Sequence, residues 1–119
     1  MTSQSAIDLD HLRQYTQGDS SLEQEVFALF REQCALWLRT LDPGGDEEAW
    51  RAGCHALKGS ARGVGAFPLA ETCAAAEALA GEAGTSVARS VALEDLRRAM
   101  DVALAVVARL EQKASSSFR

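Results

Sequence analysis

The sequence contains few of the residues that build sheets, membrane spans or nucleic-acid-binding surfaces. Only 6% of its 119 residues are aromatic, and no β-branched run alternates with period two, so we expect no sheet. No apolar run approaches the roughly 18 residues that cross a bilayer, and the N-terminal MTSQSAIDLD lacks the basic and apolar regions of a signal peptide. The net charge of −5, without a basic stripe, argues against nucleic acid. We therefore expect a cytoplasmic protein.

Metal-ligand and redox motifs are also scarce. The three cysteines, Cys34, Cys54 and Cys73, are far apart and have no CxxC spacing, and the chain has only two histidines. Each cysteine falls within or beside an apolar helical stripe. We interpret them as small core residues in a reducing compartment, with a zinc or redox role as the alternative.

Over most of its length, the chain has apolar residues at helical spacing. Its 119 residues, 47% of them apolar, suit one domain. Turn signals separate one short and four longer helices, predicted at about 8–17, 20–41, 46–64, 67–81 and 87–113. This order predicts an all-α fold, an antiparallel four-helix bundle with a short extra N-terminal helix. Residues 1–7 and 114–119 are predicted to be flexible ends of a domain spanning 8–113.

Local signals set the predicted helix ends and buried faces. Gly18 ends the first helix, Ser20 and Glu23 form a capping box for the second, and Pro68 lies in the first turn of the fourth. The predicted stripe of the second helix is Leu22, Val26, Leu29, Phe30, Trp37 and Leu41, interrupted by Gln33. The fourth helix is expected to bury Leu69, Cys73, Ala76 and Ala80. The seam of the last is Leu93, Leu96, Met100, Ala103, Val107 and Leu110.

The third helix carries the candidate functional residues. Its buried stripe follows steps of four and three, through Trp50, Cys54, Leu57, Ala61 and Val64. His55 lies well away from the centre of that stripe. It shares its face with Arg51, Lys58, Gly59 and Arg62. The pattern therefore predicts a solvent-facing histidine flanked by three cations.

Two interpretations of this face are open. Exposed histidines and basic residues usually form an ordinary solvated surface. However, Gly59 inside a helix costs about 1 kcal/mol relative to alanine, which makes sense if a partner must approach His55 closely. Imidazole can attack a phosphoryl group, and neighbouring cations can stabilise the resulting phosphate.

Other chemistries fit the sequence less well. A hydrolytic triad needs a nucleophile with its base, and Ser60 falls toward the buried side of the helix. The glycines at 59, 63 and 65 do not form a P-loop, which requires a preceding strand and Gly-Lys-Ser/Thr. Gly63 and Gly65 more simply end the helix.

The segment HALKGSA at residues 55–61, followed by Gly65-Ala66, Leu69 and Glu77, resembles the signature of histidine-containing phosphotransfer (HPt) domains. The resemblance covers about residues 8–113. It implies that His55 accepts a phosphoryl group from a receiver-domain aspartate in a bacterial multistep phosphorelay and passes it to another receiver. Lys58 would support the phosphohistidine, and Gly59 would leave room for the receiver.

The same resemblance implies the partners and the remaining site residues. The partners would be receiver domains of response regulators and of a hybrid sensor histidine kinase. Beyond what the resemblance implies, we expect these receivers to dock near Arg51, Arg62, Gly63 and Phe67, although Phe67 lies where the family varies. The receiver would supply Mg²⁺, so no cofactor is expected on this chain. Glu77 could tune the imidazole, with capping and surface roles as alternatives.

Two alternative functions remain open at this point. One is a non-catalytic helical adaptor that binds a receiver or kinase, and the other is the phosphoacceptor domain of a chemotaxis-type kinase. The chain has no nucleotide-binding motif, so we do not expect kinase activity. A monomer is expected because no second apolar face is evident in the sequence.

Overall fold

The computed structural model describes residues 5–81 and 84–116, and their side chains as far as residue 113. Its helices are α1 (Leu9–Thr16), α2 (Ser20–Thr40), α3 (Glu47–Gly63), α4 (Phe67–Glu77) and α5 (Ser86–Ser116). A 3₁₀ turn, Ala78–Ala80, follows α4 directly. Within these residues there is no strand, and the predicted all-α class is confirmed.

The four longer helices α2–α5 form the antiparallel bundle, and the short α1 lies against α2. The most extensive packing joins α3 to α4, followed by α4 to α5 and α2 to α3. Large side chains fill the centre, among them Trp50, Phe30, Leu57, Leu69 and Leu96, each no more than 2% exposed. Burial of these apolar surfaces provides the main driving force for the fold.

The buried faces of α3 and α4 are those that the sequence predicts. The α3 stripe from Trp50 to Val64 is no more than 3% exposed at any of its five predicted positions. Cys34, Cys54 and Cys73 are free thiols, each at most 1% exposed. Burial raises the pKa of each thiol to about 12, so the three cysteines are neutral core residues.

The predicted stripe of α2 is correct in part, since Phe30 and Leu41 are buried and Val26 and Trp37 pack against the core. Phe27, Phe30 and Cys34 face the core, whereas Leu29 is 57% exposed. Gln33, the polar residue within this stripe, has a hydrogen-bond partner, since its Oε1 accepts a bond of 3.0 Å from Trp37 Nε1. Apolar residues occur on several faces of α2, so its periodicity alone does not identify every residue that packs on the bundle.

The predicted capping box of α2 is wrong by one residue. The N-cap is Asp19, whose side chain accepts from Leu22 N–H at 3.1 Å. Glu23 instead accepts a 2.7 Å hydrogen bond from the Thr16 hydroxyl. Asp19 is as good a cap as serine and lies one residue earlier, which leaves Glu23 free to hold α1 against α2.

The domain also extends beyond its predicted edges. Ile7, which we assigned to the flexible N-terminus, is 4% exposed and belongs to the core. The neighbouring Asp8 N–H donates to the Gly65 carbonyl at 2.8 Å. At the other end, α5 continues to Ser116 instead of ending at Lys113. Residues 1–4 and 117–119 of the predicted flexible ends lie outside the described residues.

Gly59 and Gly53, both within α3, provide a matched pair for a stability test. A Cβ at Gly59 would meet no atom within 4 Å beyond its own helix, whereas one at Gly53 would lie 2.8 Å from Leu41 Cδ2. We expect Gly59→Ala to raise the free energy of unfolding by up to about 1 kcal/mol, through helix propensity alone. Gly53→Ala should raise it less, because the Leu41 methyl must move. Urea denaturation measures both changes, and a destabilised Gly59→Ala protein would show that packing within the chain requires this glycine.

Candidate functional site

His55 lies on the outer face of α3, as predicted, directly after the buried Cys54. Its side chain is 70% exposed. The turn that follows carries Gly59, so no side chain rises beside the imidazole from that position. A molecule approaching along α3 could therefore reach the ring without steric obstruction from residue 59.

Glu77, the last residue of α4, brings His55 and Lys58 together. Its Oε2 lies 3.1 Å from His55 Nδ1, and its Oε1 accepts a 2.7 Å hydrogen bond from Lys58 Nζ. These partners precede Glu77 by 22 and 19 residues. The packing of α4 on α3 brings the carboxylate to the functional face.

The carboxylate determines which imidazole nitrogen faces solvent. The pKa of Glu77 is lowered, chiefly by the hydrogen bond from Lys58, against an opposing effect of burial and with a smaller contribution from His55. Glu77 is therefore ionised near neutral pH and can only accept a hydrogen bond. In the neutral form of the ring, His55 then donates through Nδ1–H, and the lone pair lies on the outer nitrogen, Nε2.

The three cations predicted around His55 differ in their surroundings. Lys58 is the most enclosed of the three, because its side chain is only 16% exposed and forms an ion pair with Glu77. Arg51 makes ion pairs of 3.2 and 3.6 Å with Glu47 and Glu48 on its own helix. Arg62 is exposed near the end of α3. The structure thus places Lys58 in direct contact with the group that holds His55, and the two arginines at the surface of the same helix.

An apolar groove of about 580 Å³, which the sequence analysis missed, lies beside this face. Its walls include His11 and Tyr15 from α1, Leu29 from α2, and Ser60 and Gly63 from α3. Tyr15 and Leu29 are 65% and 57% exposed. Because three helices contribute, no single stretch of sequence shows the groove, although exposed apolar residues often mark binding surfaces.

Phe67 lies next to α1 and is half-buried. Its ring makes an edge-to-face contact with His11, with the ring centroids 5.0 Å apart. His11 in turn lines the groove. The structure therefore connects Phe67 to the groove through His11.

Across residues 5–81 and 84–116, no group of three or more His, Cys, Asp or Glu side chains is arranged to hold a metal ion. The expectation that this chain binds no cofactor remains a prediction. No helix in the same residues is long and apolar enough to cross a membrane.

Comparisons with known proteins place the chain in a family. A family model of the Hpt domain matches residues 20–112, and the chain belongs to this family of phosphorelay phosphotransfer domains. The crystal structure of the histidine phosphotransferase ShpA from Caulobacter crescentus is similar, with a TM-score of 0.74 and 39% sequence identity. The similarity covers 97% of this chain and 100% of that one. No curated protein matches the sequence significantly.

Membership of the family establishes the general function. Hpt proteins are phosphotransfer intermediates of phosphorelays, not kinases, and they interact with receiver domains. The chain therefore acts in histidine phosphotransfer. The helix α1 precedes the segment that the family model matches.

The lowered pKa of Glu77 predicts a pH-dependent contribution to stability. Since the folded state favours the ionised carboxylate, this contribution is fully present above the ordinary pKa of 4.5 and is lost as the pH falls through the lowered value. Wild type should therefore be more stable than Glu77→Gln at pH 7, and the difference should shrink below pH 4.5. Urea denaturation at a series of pH values measures it.

Glu71→Gln, at an exposed position on the same helix, controls for loss of one negative charge. Its difference from wild type should lack the strong pH dependence expected for Glu77→Gln. Parallel pH profiles for the two variants would contradict the assigned role of the Glu77 contacts.

Proposed function

We propose that His55 is the phosphoacceptor, taking a phosphoryl group from the aspartate of one receiver domain and passing it to the aspartate of another in a bacterial cytoplasmic phosphorelay. The observation that supports this most directly is the exposed imidazole with Nδ1 held by the Glu77 carboxylate. In the neutral ring, the lone pair is then on the outer Nε2, which is open to a partner.

The transfer step follows from this geometry. The Nε2 lone pair attacks phosphorus, the bond between phosphorus and the receiver's carboxylate oxygen breaks, and the carboxylate leaves with the electron pair. No proton needs to move, because Nδ1–H stays on the ring. The ring becomes positively charged, and the Glu77 anion next to Nδ1 stabilises this charge. In the second transfer, a receiver carboxylate attacks phosphorus and the imidazole leaves.

The phosphohistidine brings about two negative charges to the α3 surface. Lys58 is suited to stabilise them. Its ammonium group has three N–H donors, and Glu77 Oε1 accepts a hydrogen bond from one of them. Arg51 and Arg62 add positive potential on the same helix. In this proposal Mg²⁺ comes from the receiver and neutralises phosphoryl charge there, so this chain needs no cofactor and no kinase activity of its own.

Docking of the receiver is proposed to use the surface around His55. Gly59 and Gly63 are exposed positions without side chains, which allow close approach along α3. The apolar groove beside them offers an area that a partner can cover, and Phe67 supports its wall through His11. Since the acceptor is presented by a single chain, we propose that the protein works as a monomer.

Incubation with a phosphorylated cognate receiver tests the proposal. We expect phosphoryl label to appear on His55, in an acid-labile and base-stable form, and to be absent from His55→Gln. His11→Gln removes the other histidine and tests only the site of labelling: it should still carry the label on His55, although its rate of labelling is not a control because His11 lines the groove. Labelling of His55→Gln, or no labelling of wild type by any receiver of the source organism, would refute the proposal. Binding to a receiver without transfer would indicate an adaptor instead.

Clearance at Gly59 gives a second prediction. Gly59→Leu should fold normally, because the position faces open space, yet it should slow transfer from a receiver by about tenfold or more, an energy of about 1.4 kcal/mol or more. Rapid-quench measurement of transfer gives the rate. Ala105→Leu, an equally exposed small-to-large change on α5, should leave the rate unchanged. Equal rates for all three proteins would show that receivers do not approach residue 59.

A further inference from the structure

The backbone changes its helical form immediately after Glu77. The α-helix α4 ends there, and Ala78–Ala80 forms a 3₁₀ turn. Carbonyl groups in the last turn of a helix lack intrahelical partners, so such ends fray unless other groups bind them. Glu77 therefore lies at the junction of α4 with the 3₁₀ turn, close to the end of this helical segment.

Side chains from two neighbouring helices bind carbonyls on both sides of Glu77. Trp50 of α3 donates its indole N–H to the Ala76 carbonyl at 2.8 Å in the buried core. Arg89 of α5 donates its Nε–H to the Leu79 carbonyl at 2.9 Å in a partly buried position. One bond precedes Glu77 by a residue and the other follows it by two.

Each donor is itself well anchored. Trp50 is 1% exposed. Arg89 lies in the first turn of α5, where its own backbone N–H donates to the Thr85 carbonyl at 2.9 Å. A guanidinium at the carboxyl end of a helix also complements the negative end of the helix dipole, which strengthens this contact.

The position of Glu77 must be accurate because its carboxylate contacts two side chains at once. The distances of 2.7 Å to Lys58 and 3.1 Å to His55 must hold together, and hydrogen bonds weaken quickly as distance and angle change. Fraying of the last turn would move the Glu77 backbone and disturb both contacts. His55 would then lose the acceptor that keeps its proton on Nδ1.

We infer that Arg89 and Trp50 are positioning residues for the phosphotransfer site, which hold the end of α4 so that the Glu77 carboxylate orients His55. This inference rests on the proposed function for its effect on transfer. Its effect on the His55 ring can be observed without any receiver.

Arg89→Met is the main test variant, since it removes the donor at a half-buried position while keeping an apolar stem. The ¹⁵N NMR signals of the His55 ring report which nitrogen carries the proton. We expect Arg89→Met to shift them toward those of Glu77→Ala and to slow transfer by about three- to tenfold. In a Glu77→Ala background, Arg89→Met should have no further effect on either readout, because it acts through Glu77.

Arg98→Met makes the same substitution on the same helix at a position whose side chain is 74% exposed, and it should change neither readout. Trp50→Phe tests the other carbonyl contact and should shift the ring signals in the same direction. Thermal unfolding verifies that each variant is folded.

Unchanged ring signals in folded Arg89→Met, or a full additional effect in the Glu77→Ala background, would overturn the inference. If wild type receives no phosphoryl group from any receiver, the proposed function fails. The ring signals then still determine whether Arg89 positions Glu77.

Discussion

Close packing of α3 against α4 is the constraint on which the functional site depends. The buried residues of α4 after Leu69 are all small, namely Ala70, Cys73 and Ala76, and Ala80 of the 3₁₀ turn continues the series. Small side chains let two helices approach closely. A glutamate at the end of α4 can then reach His55 and Lys58 on the outer side of α3. The chemistry on the surface thus depends on the volume of residues in the core.

Stability and function make opposite demands on α3. One face of the helix is entirely buried, while the other has an exposed histidine and a glycine that weakens the helix. The acidic partner of His55 comes from a different helix and is held there by Lys58. This division lets the core keep α3 in place while the outer face stays open to a second protein, which in the proposed function supplies the phosphoryl group.

Helix faces and helix ends are predictable from the sequence only where the local pattern is strong. The α3 stripe was predicted correctly because its large apolar residues follow one face with little competition. The stripe of α2 was predicted only in part, because apolar residues such as Leu29 occur on a face that the bundle leaves exposed. The N-cap at Asp19 was missed because two adjacent residues, Asp19 and Ser20, can both cap a helix.

The sequence by itself determined the five helices, the buried face of α3 and the outward direction of His55, because these depend on periodicity and turn residues within one segment. The tertiary structure decided the contacts between segments. The Glu77 carboxylate at His55, the Arg89 hydrogen bond to the Leu79 carbonyl and the groove between α1, α2 and α3 are examples. Each joins residues from different helices, and helix packing sets their distances through side-chain volumes that no local pattern encodes.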